Sequence, residues 1–358
     1  MALYPDVRKP MDVRAYAALA PQAPLEPYVI QRRELRPNDV LIEIKYSGIC
    51  HSDIHQGREE WGGATFPMVP GHEIAGIVTA VGSDVTLHKV GDQAGVGCFV
   101  DSCRECDNCR IGQQSYCLTH TAYTYNNYEM DRVTPTYGGY STHIVVDENY
   151  VLRIPDNLGL DVAAPLMCAG ITLYQPLAEW KAGPNSRVGI VGLGGLGHMG
   201  VKLAAAMGAE VTLISHSPSK EEDAHRLGAT NFLLSSDRAA MKAARSSLDL
   251  IVNTASAISK LDPYLSLLRL DGTLVSVGLP SENLSVSPFL FIEQRRRLAG
   301  TNNGGIPQTQ EMLDFCGERG LGSDIETIDI QQVNEAWDRV VASDVKYRFV
   351  IDTASLGA

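Results

Sequence analysis

In the first part of the chain, apolar and polar residues alternate with a period close to two. The run 40–47 (Val-Leu-Ile-Glu-Ile-Lys-Tyr-Ser) and the run 73–82 read as strands. Aliphatic and β-branched residues broken by single polar ones suit a pleated, largely buried surface. Residues 140–146 form another strand candidate, and Gly, Pro and Asp punctuate the gaps. No long 3.6-residue periodicity occurs before about residue 155, so this region is expected to form a β-rich irregular barrel.

From about residue 160 the texture changes. A short apolar run, 187–191, opens into Gly192-Leu193-Gly194-Gly195-Leu196-Gly197. Leu196, Met199, Leu203 and Met207 then follow at helical spacing, with Gly208 where a helix would stop. Strand candidates recur at 210–215, 231–234, 249–253, 273–277 and 297–301, most of them separated by helical or loop spacers. That alternation predicts an α/β region built as a doubly wound parallel sheet. The chain then ends in another strand pattern, 347–352, which has to find a partner elsewhere.

A length of 358 residues with 44% hydrophobic and 20% charged positions fits about two ordinary globular domains. The net charge of −12 excludes nucleic acid as a partner, because phosphate contacts need Lys and Arg. No apolar run reaches transmembrane length, and no membrane partner is expected. Residues 1–10 set Asp6 among Arg8 and Lys9 and have no apolar core, so no export signal is expected. Without one, eight cysteines point to metal binding in a reducing compartment, and the expected location is the cytoplasm.

Four of those cysteines carry the most specific signal: Cys103-x2-Cys106-x2-Cys109-x7-Cys117, inside a polar lobe at 98–120. Four thiolates close a tetrahedral shell around zinc and leave no place for substrate, so this ion is structural. An iron–sulfur cluster takes four thiolates too, but the chemistry below needs no electron carrier.

Cys50 lies in the dense run Cys50-His51-Ser52-Asp53-Ile54-His55, directly after the strand 40–47. His72 sits in Gly71-His72-Glu73, and Cys168 in Cys168-Ala169-Gly170. Two thiolates and an imidazole with a fourth position open make a catalytic zinc site, although each residue taken singly is more often part of a core. Cys98 and Cys316 lack such company and are assigned to the core.

Gly192-x-Gly194-x-x-Gly197 follows a strand and opens a helix, the context in which this motif binds a dinucleotide pyrophosphate. An NAD site would place a carboxylate at the end of the next strand. Here that end reads Ser215-His216-Ser217-Pro218-Ser219-Lys220, with no carboxylate before Glu221. Hydroxyls and a Lys suit a 2′-phosphate, so NADP is favoured. His216 is either an adenine or phosphate contact or a solvated loop residue.

With these pieces in place the chain resembles the zinc-dependent medium-chain alcohol dehydrogenases, the cinnamyl alcohol dehydrogenase type with its bacterial broad-range aldehyde reductases in particular. The resemblance is carried by 48–55, by Val69-Pro70-Gly71-His72-Glu73, by the four-cysteine lobe, by 168–172, by 192–200 and by 345–350. It implies a GroES-like catalytic domain at 1–157 and 303–358 and a Rossmann NADP-binding domain at 158–302, with the active site in the cleft. It also implies a homodimer joined through the cofactor domains.

Residue by residue, the resemblance makes Cys50, His72 and Cys168 ligands of the catalytic zinc and brings Glu73 near that ion when substrate is absent. It gives Asp53 the orienting of His72, Ser52 a hydrogen bond to the substrate oxygen, and His55 the onward transfer of the proton through the nicotinamide ribose. Cofactor contacts fall to the glycine loop with Leu193, Gly195 and Leu196, to the 215–220 loop, and to His51, Thr254, Val277, Gly278, Thr301, Asn302 and Arg348, the last on the pyrophosphate side. Two departures stand out: His216 replaces a frequent Thr, and Asn302-Asn303 replace more typical neighbours of the nicotinamide. The implied activity is NADP-preferring interconversion of aromatic or medium-chain primary alcohols and aldehydes. Trp61, Phe66 and residues 123–128 either line the substrate cleft or pack the barrel. A polyol or secondary-alcohol dehydrogenase and a non-catalytic NADP-binding zinc protein are the competing readings.

Overall fold

The computed structural model describes residues 9–280 and 282–357. The start of the chain at 1–8, read above as carrying no export signal, lies outside them. The described residues fall into two compact units, one formed by residues up to 168 together with 304 onward, the other by 169–303. Residues 158–168, expected with the cofactor domain, pack instead with the first unit. The helical turns Leu160–Ala163 and Ala164–Met167 lie against the strands Asp39–Gly48 and Ile74–Val81. The sequence gives no warning of this, because Pro165 and the short turns blur the helical spacing there.

The first unit is organised around the strand Asp39–Gly48. It pairs antiparallel with Ile74–Val81, with His143–Asp147 and, at its C-terminal end, with Arg348–Asp352. The sheet runs in the order 152–153, 93–96, 74–81, 39–48, 348–352, 325–329. Both faces of the central strand are covered, which is why Val40, Leu41, Ile42 and Ile44 are all buried instead of alternating in and out. Two register shifts against Ile74–Val81 bend the sheet and give the irregular character expected. The third strand candidate starts at His143, three residues late, since Tyr140 belongs to the preceding turn.

The terminal strand finds its place here. Val350 faces Gly48, and Ile49 N donates to Phe349 O at 2.9 Å, so the far end of the chain closes onto the start of the densest sequence motif. Two cores support the sheet. One gathers Ile49, Ile54, Tyr140, Trp337 and Phe349; the other gathers Val40, Ile42, Ile44, Ile74 and Val78.

The second unit holds a six-stranded parallel sheet ordered 231–234, 210–215, 187–191, 248–253, 268–276, 297–300. In chain order this is 3-2-1-4-5-6, the doubly wound arrangement whose strand order reverses between 187–191 and 248–253. The helix expected after the glycine run spans Gly197–Ala206. Among the described residues no helix is long and apolar enough to cross a membrane.

Candidate active site

The strand Asp39–Gly48 delivers its chain straight into the helix His51–Gly57, with Cys50 as the residue before the first turn. Asp53 sits in that turn, 0% exposed, and accepts from Cys50 N at 2.9 Å. The same carboxylate accepts from Gly71 N and from His72 Nδ1, both at 3.1 Å. One buried acid therefore ties the two motifs together and commits the Nδ1 edge of His72, leaving Nε2 for another partner.

Cys50, His72, Glu73 and Cys168 are all buried, and one ligand atom from each lies within 4.8 Å of the others. The sulfurs of Cys50 and Cys168 are 4.0 Å apart. A tetrahedral zinc with sulfur bonds of about 2.3 Å has edges of about 3.8 Å, so this spacing fits. The electrostatics agree. Sharing with Cys168 and the charge of Arg348 hold the Cys50 thiol well below its ordinary value, while the same sharing pushes Cys168 up. Burial disfavours a charged His72, but the Asp53 carboxylate more than compensates and holds it above its usual range. The pocket thus favours one thiolate before any cation is added, which is the donor chemistry of a zinc site.

Glu73 closes the group from behind. Its Oε1 accepts from Arg348 Nη2 at 2.7 Å, and its Oε2 is buried with no hydrogen-bond partner. Burial pushes this carboxyl up to about 8 against the pull of Arg348. The close approach requires Gly48: a Cβ there would lie 2.1 Å from Glu73 Oε2. Arg348, expected beside a cofactor pyrophosphate, is turned inward in this structure. It is 4% exposed, with Nη1 on Ile49 O at 3.1 Å and Nη2 on Glu73. Its position follows from the strand Arg348–Asp352 lying beside Asp39–Gly48, a pairing that spacing alone does not reveal.

Ser52 is half-buried, its Oγ 3.7 Å from Cys50 Sγ. His55 lies one turn further on, half-buried, with Nδ1 2.5 Å from Glu60 Oε2 and its ring stacked on Trp61 at 4.9 Å. His51 is exposed, its ring 5.9 Å from that of His55. Of the aromatic candidates, Trp61 therefore serves His55, and Phe66 packs against the barrel core. Tyr125 is 3% exposed and lies flat on His72, ring centroids 5.7 Å apart.

Cys98 packs against the barrel core, as expected, and has a further neighbourhood that the sequence did not suggest. It is only half-buried and acts on both Cys168 and His72, which places it beside the open site. Cys316 is fully buried. Glu60 and Cys98 are not marked as site residues by the sequence, and Tyr125 only as part of 123–128, because their relevance depends on tertiary proximity; the nearness of Glu60 to His55 in sequence offers a hint.

The four-cysteine lobe is framed by the hairpin Phe99–Ser102 and Thr121–Tyr123. Its four sulfurs form the second metal-ready group, with pairs at 3.9 Å (Cys103, Cys109) and 4.0 Å (Cys106, Cys117). Backbone N–H groups of Cys103, Cys106 and Leu118 point at the sulfurs of Cys117, Cys103 and Cys106. Such donors stabilise thiolates and pull Cys103 down to about 6.

In the second unit the expected cofactor residues share one edge of the sheet. Gly192 follows 187–191, Ser215 ends 210–215, Thr254 follows 248–253, Val277 and Gly278 follow 268–276, and Thr301 and Asn302 follow 297–300. All lie at C-terminal strand ends, where doubly wound sheets bind ligands. Gly192 has a φ of +90°, and a Cβ on Gly197 would meet Gly192 O at 2.0 Å, so the turn closes only with glycine at both positions. Gly194 faces open space. Ser217 N donates to Ser215 Oγ at 3.2 Å, and the Ser217 and Ser219 hydroxyls are 2.9 Å apart, while His216 is exposed.

Comparison with known proteins agrees with this architecture. Residues 36–156 match the family model "Alcohol dehydrogenase GroES-like domain", and residues 195–318 match "Zinc-binding dehydrogenase". The chain is 58% identical to NADP-dependent alcohol dehydrogenase C 1 of Mycolicibacterium smegmatis, covering 96% of this chain and 99% of that one. It is 51% identical to aldehyde reductase YahK of Escherichia coli, covering 97% and 99%. Among solved structures, a cinnamyl alcohol dehydrogenase from Sorghum bicolor superposes with a TM-score of 0.93 at 45% identity, covering 96% of this chain and 98% of that one. With both halves matched and relatives similar over almost their full length, the chain belongs to the zinc-dependent medium-chain alcohol dehydrogenase family.

Proposed function

We propose that the chain is an NADP-dependent alcohol dehydrogenase and aldehyde reductase acting on aromatic or medium-chain primary alcohols and aldehydes. The observation that carries this reading is the buried group of Cys50, His72, Glu73 and Cys168 with the Ser52 hydroxyl at its edge. Family membership and the activities for which the mycobacterial and Escherichia coli relatives are named support the reaction class.

Cys50, Cys168 and Nε2 of His72 would hold the catalytic zinc, and the lobe cysteines a structural one. When bound, zinc polarises the oxygen of an alcohol or aldehyde, and NADP(H) takes or gives the hydride. The chain's own part is proton handling and orientation. Asp53 accepts from His72 Nδ1 and fixes the ring, so a zinc ion that displaced the proton of Nε2 would meet a lone pair there. Ser52 is the hydroxyl within reach of the site, and it donates to or accepts from the substrate oxygen. His55, one turn on and half-exposed, carries the proton outward. The Glu60 carboxylate on its Nδ1 and the Trp61 ring beside it fix the orientation of the imidazole.

The 215–220 loop, with hydroxyls and Lys220 and no carboxylate before Glu221, suits the 2′-phosphate of NADP and would repel nothing on it. The exposed apolar side chains of Leu279, Phe289 and Ile292 in the same unit as the edge strand Arg297–Gly300 support a homodimer through the cofactor unit. Eight cysteines, none of them in a disulfide among the described residues, are consistent with a reducing, cytoplasmic location.

The test combines metal analysis with an aldehyde panel followed by the loss of reduced-nicotinamide absorbance. Two zinc ions per chain and turnover of aromatic or medium-chain aldehydes support the reading. Two zincs without turnover of any aldehyde favour a binding protein, and turnover confined to polyols or secondary alcohols moves the substrate class.

A further inference from the structure

The carboxylate of Asp53 has a fourth donor that neither the zinc motif nor the proton path uses. The phenol of Tyr140 donates to Asp53 Oδ2 at 3.3 Å, from 87 residues further along the chain. Tyr140 is 0% exposed, and its oxygen accepts in turn from Trp337 Nε1 at 3.5 Å. Trp337 belongs to the helix Val333–Val341, and its ring packs over Gly57 at the end of the catalytic helix. A hydrogen-bonded chain thus links Trp337, Tyr140, Asp53 and His72, with Asp53 accepting from both of its neighbours.

We propose that Tyr140 is a positioning residue of the open metal site, acting through Asp53 on the imidazole of His72. The inference rests on the reading that this site holds zinc. Each oxygen of Asp53 receives two donors: Gly71 N and His72 Nδ1 on Oδ1, Cys50 N and Tyr140 on Oδ2. Two donors per oxygen fix the carboxylate plane, and that plane sets the direction in which Oδ1 meets the ring. Three of the four donors come from the ligand-bearing segments themselves and move with them. Tyr140 ties the carboxylate to the turn at 138–140, whose backbone bonds to residues 69–71, and through Trp337 to the helix Val333–Val341, so it fixes the site against the fold. Burial and the charge of Asp53 keep the phenol protonated far above its ordinary value, so it stays a donor at any working pH. Tyr125, flat on His72, restrains the same ring by its face.

The experiment uses full-length, zinc-loaded protein carrying Tyr140→Phe, which removes one oxygen and keeps the ring. The two ions are counted separately during challenge with a chelator, the visible spectrum is recorded after cobalt replaces zinc in the open site, and kcat and KM are measured. Loss of the open-site ion should quicken roughly three- to tenfold, less than the 10–100-fold typical of a ligand's direct partner. The ion of the four-cysteine lobe should be unaffected, the cobalt bands should move, and kcat should fall with KM for NADPH unchanged. Trp337→Phe should act in the same direction but less. Unaltered retention and spectrum in Tyr140→Phe overturn the proposal, as does equal loss of both ions with general unfolding. A single zinc in the unsubstituted protein would instead bring down the reading of the open site itself.

Discussion

Glu73→Leu is the substitution whose cost the structure fixes most sharply. The carboxylate is 0% exposed, and Arg348, its partner at 2.7 Å, is 4% exposed. Removing the carboxyl leaves a guanidinium that can never be deprotonated facing the carbonyl of Ile49 and the Cys50 sulfur, with Nε already unpaired. Above about pH 8, where the Glu73 carboxyl is ionised, breaking one side of such a buried pair costs about 3–5 kcal/mol. For a unit of this size that corresponds to a fall in Tm of about 6–20 °C. Exchanging both partners for apolar residues of similar volume, Glu73→Leu with Arg348→Met, should recover most of the loss, because the desolvation of both charges disappears together. The assay is denaturant unfolding of the single and double variants, each with zinc bound and after its removal, arranged as a double-mutant cycle. The metal-free arm separates the ion pair from any contact of Glu73 with zinc. A loss below about 1 kcal/mol in the single variant, or a double variant less stable than the single, would refute the claim that the pair behaves as a coupled buried unit. Gly48→Ala probes the same geometry from the other side, since its methyl needs the space of Glu73 Oε2.

Three shorter predictions follow from other residues. Ser52→Ala should lower kcat by about 100-fold or more at neutral pH while zinc content stays at two per chain, and an unchanged rate removes Ser52 from the proton path. NADPH should exceed NADH in kcat/KM, and Lys220→Glu should shrink or reverse that ranking by placing a like charge beside the 2′-phosphate; steady-state kinetics with both cofactors decide it. Asp131 accepts from the hydroxyl and N–H of Thr134 and from Val133 N, which hold its carboxyl down at about 2 against an ordinary 3.8. Its contribution to stability is therefore complete above pH 3.8 and is lost as pH falls through about 2, and Asp131→Asn should flatten that part of an acid unfolding curve.

Which parts of this molecule could be read from residues alone follows from the range of the forces that build them. The glycine loop was legible because its requirements are local: a positive φ at Gly192, a contact between Gly197 and Gly192 O, and a helix that must begin there. The four-cysteine lobe was legible because all four sulfurs fall within 15 consecutive positions. The strands of the parallel sheet were legible for the same reason, each a short apolar run between loops. The open metal group has a different origin. Cys50, His72 and Cys168 meet because Asp39–Gly48 pairs with Ile74–Val81 and the turn Ala164–Met167 packs across both. Resemblance could nominate these three residues, but nothing in their spacing could. What resemblance did not supply is the layer behind them: Glu73 engaged by Arg348, Tyr140 on Asp53, Glu60 on His55, Cys98 against Cys168. These contacts depend on strand register and on where side chains turn once the core is packed. A one-residue slip of Arg348–Asp352 against Asp39–Gly48 would turn Arg348 to the other face and leave Glu73 without its counter-charge. The returning C-terminal strand is therefore more than a closure of the barrel: its register decides whether the acid behind the metal group meets Arg348.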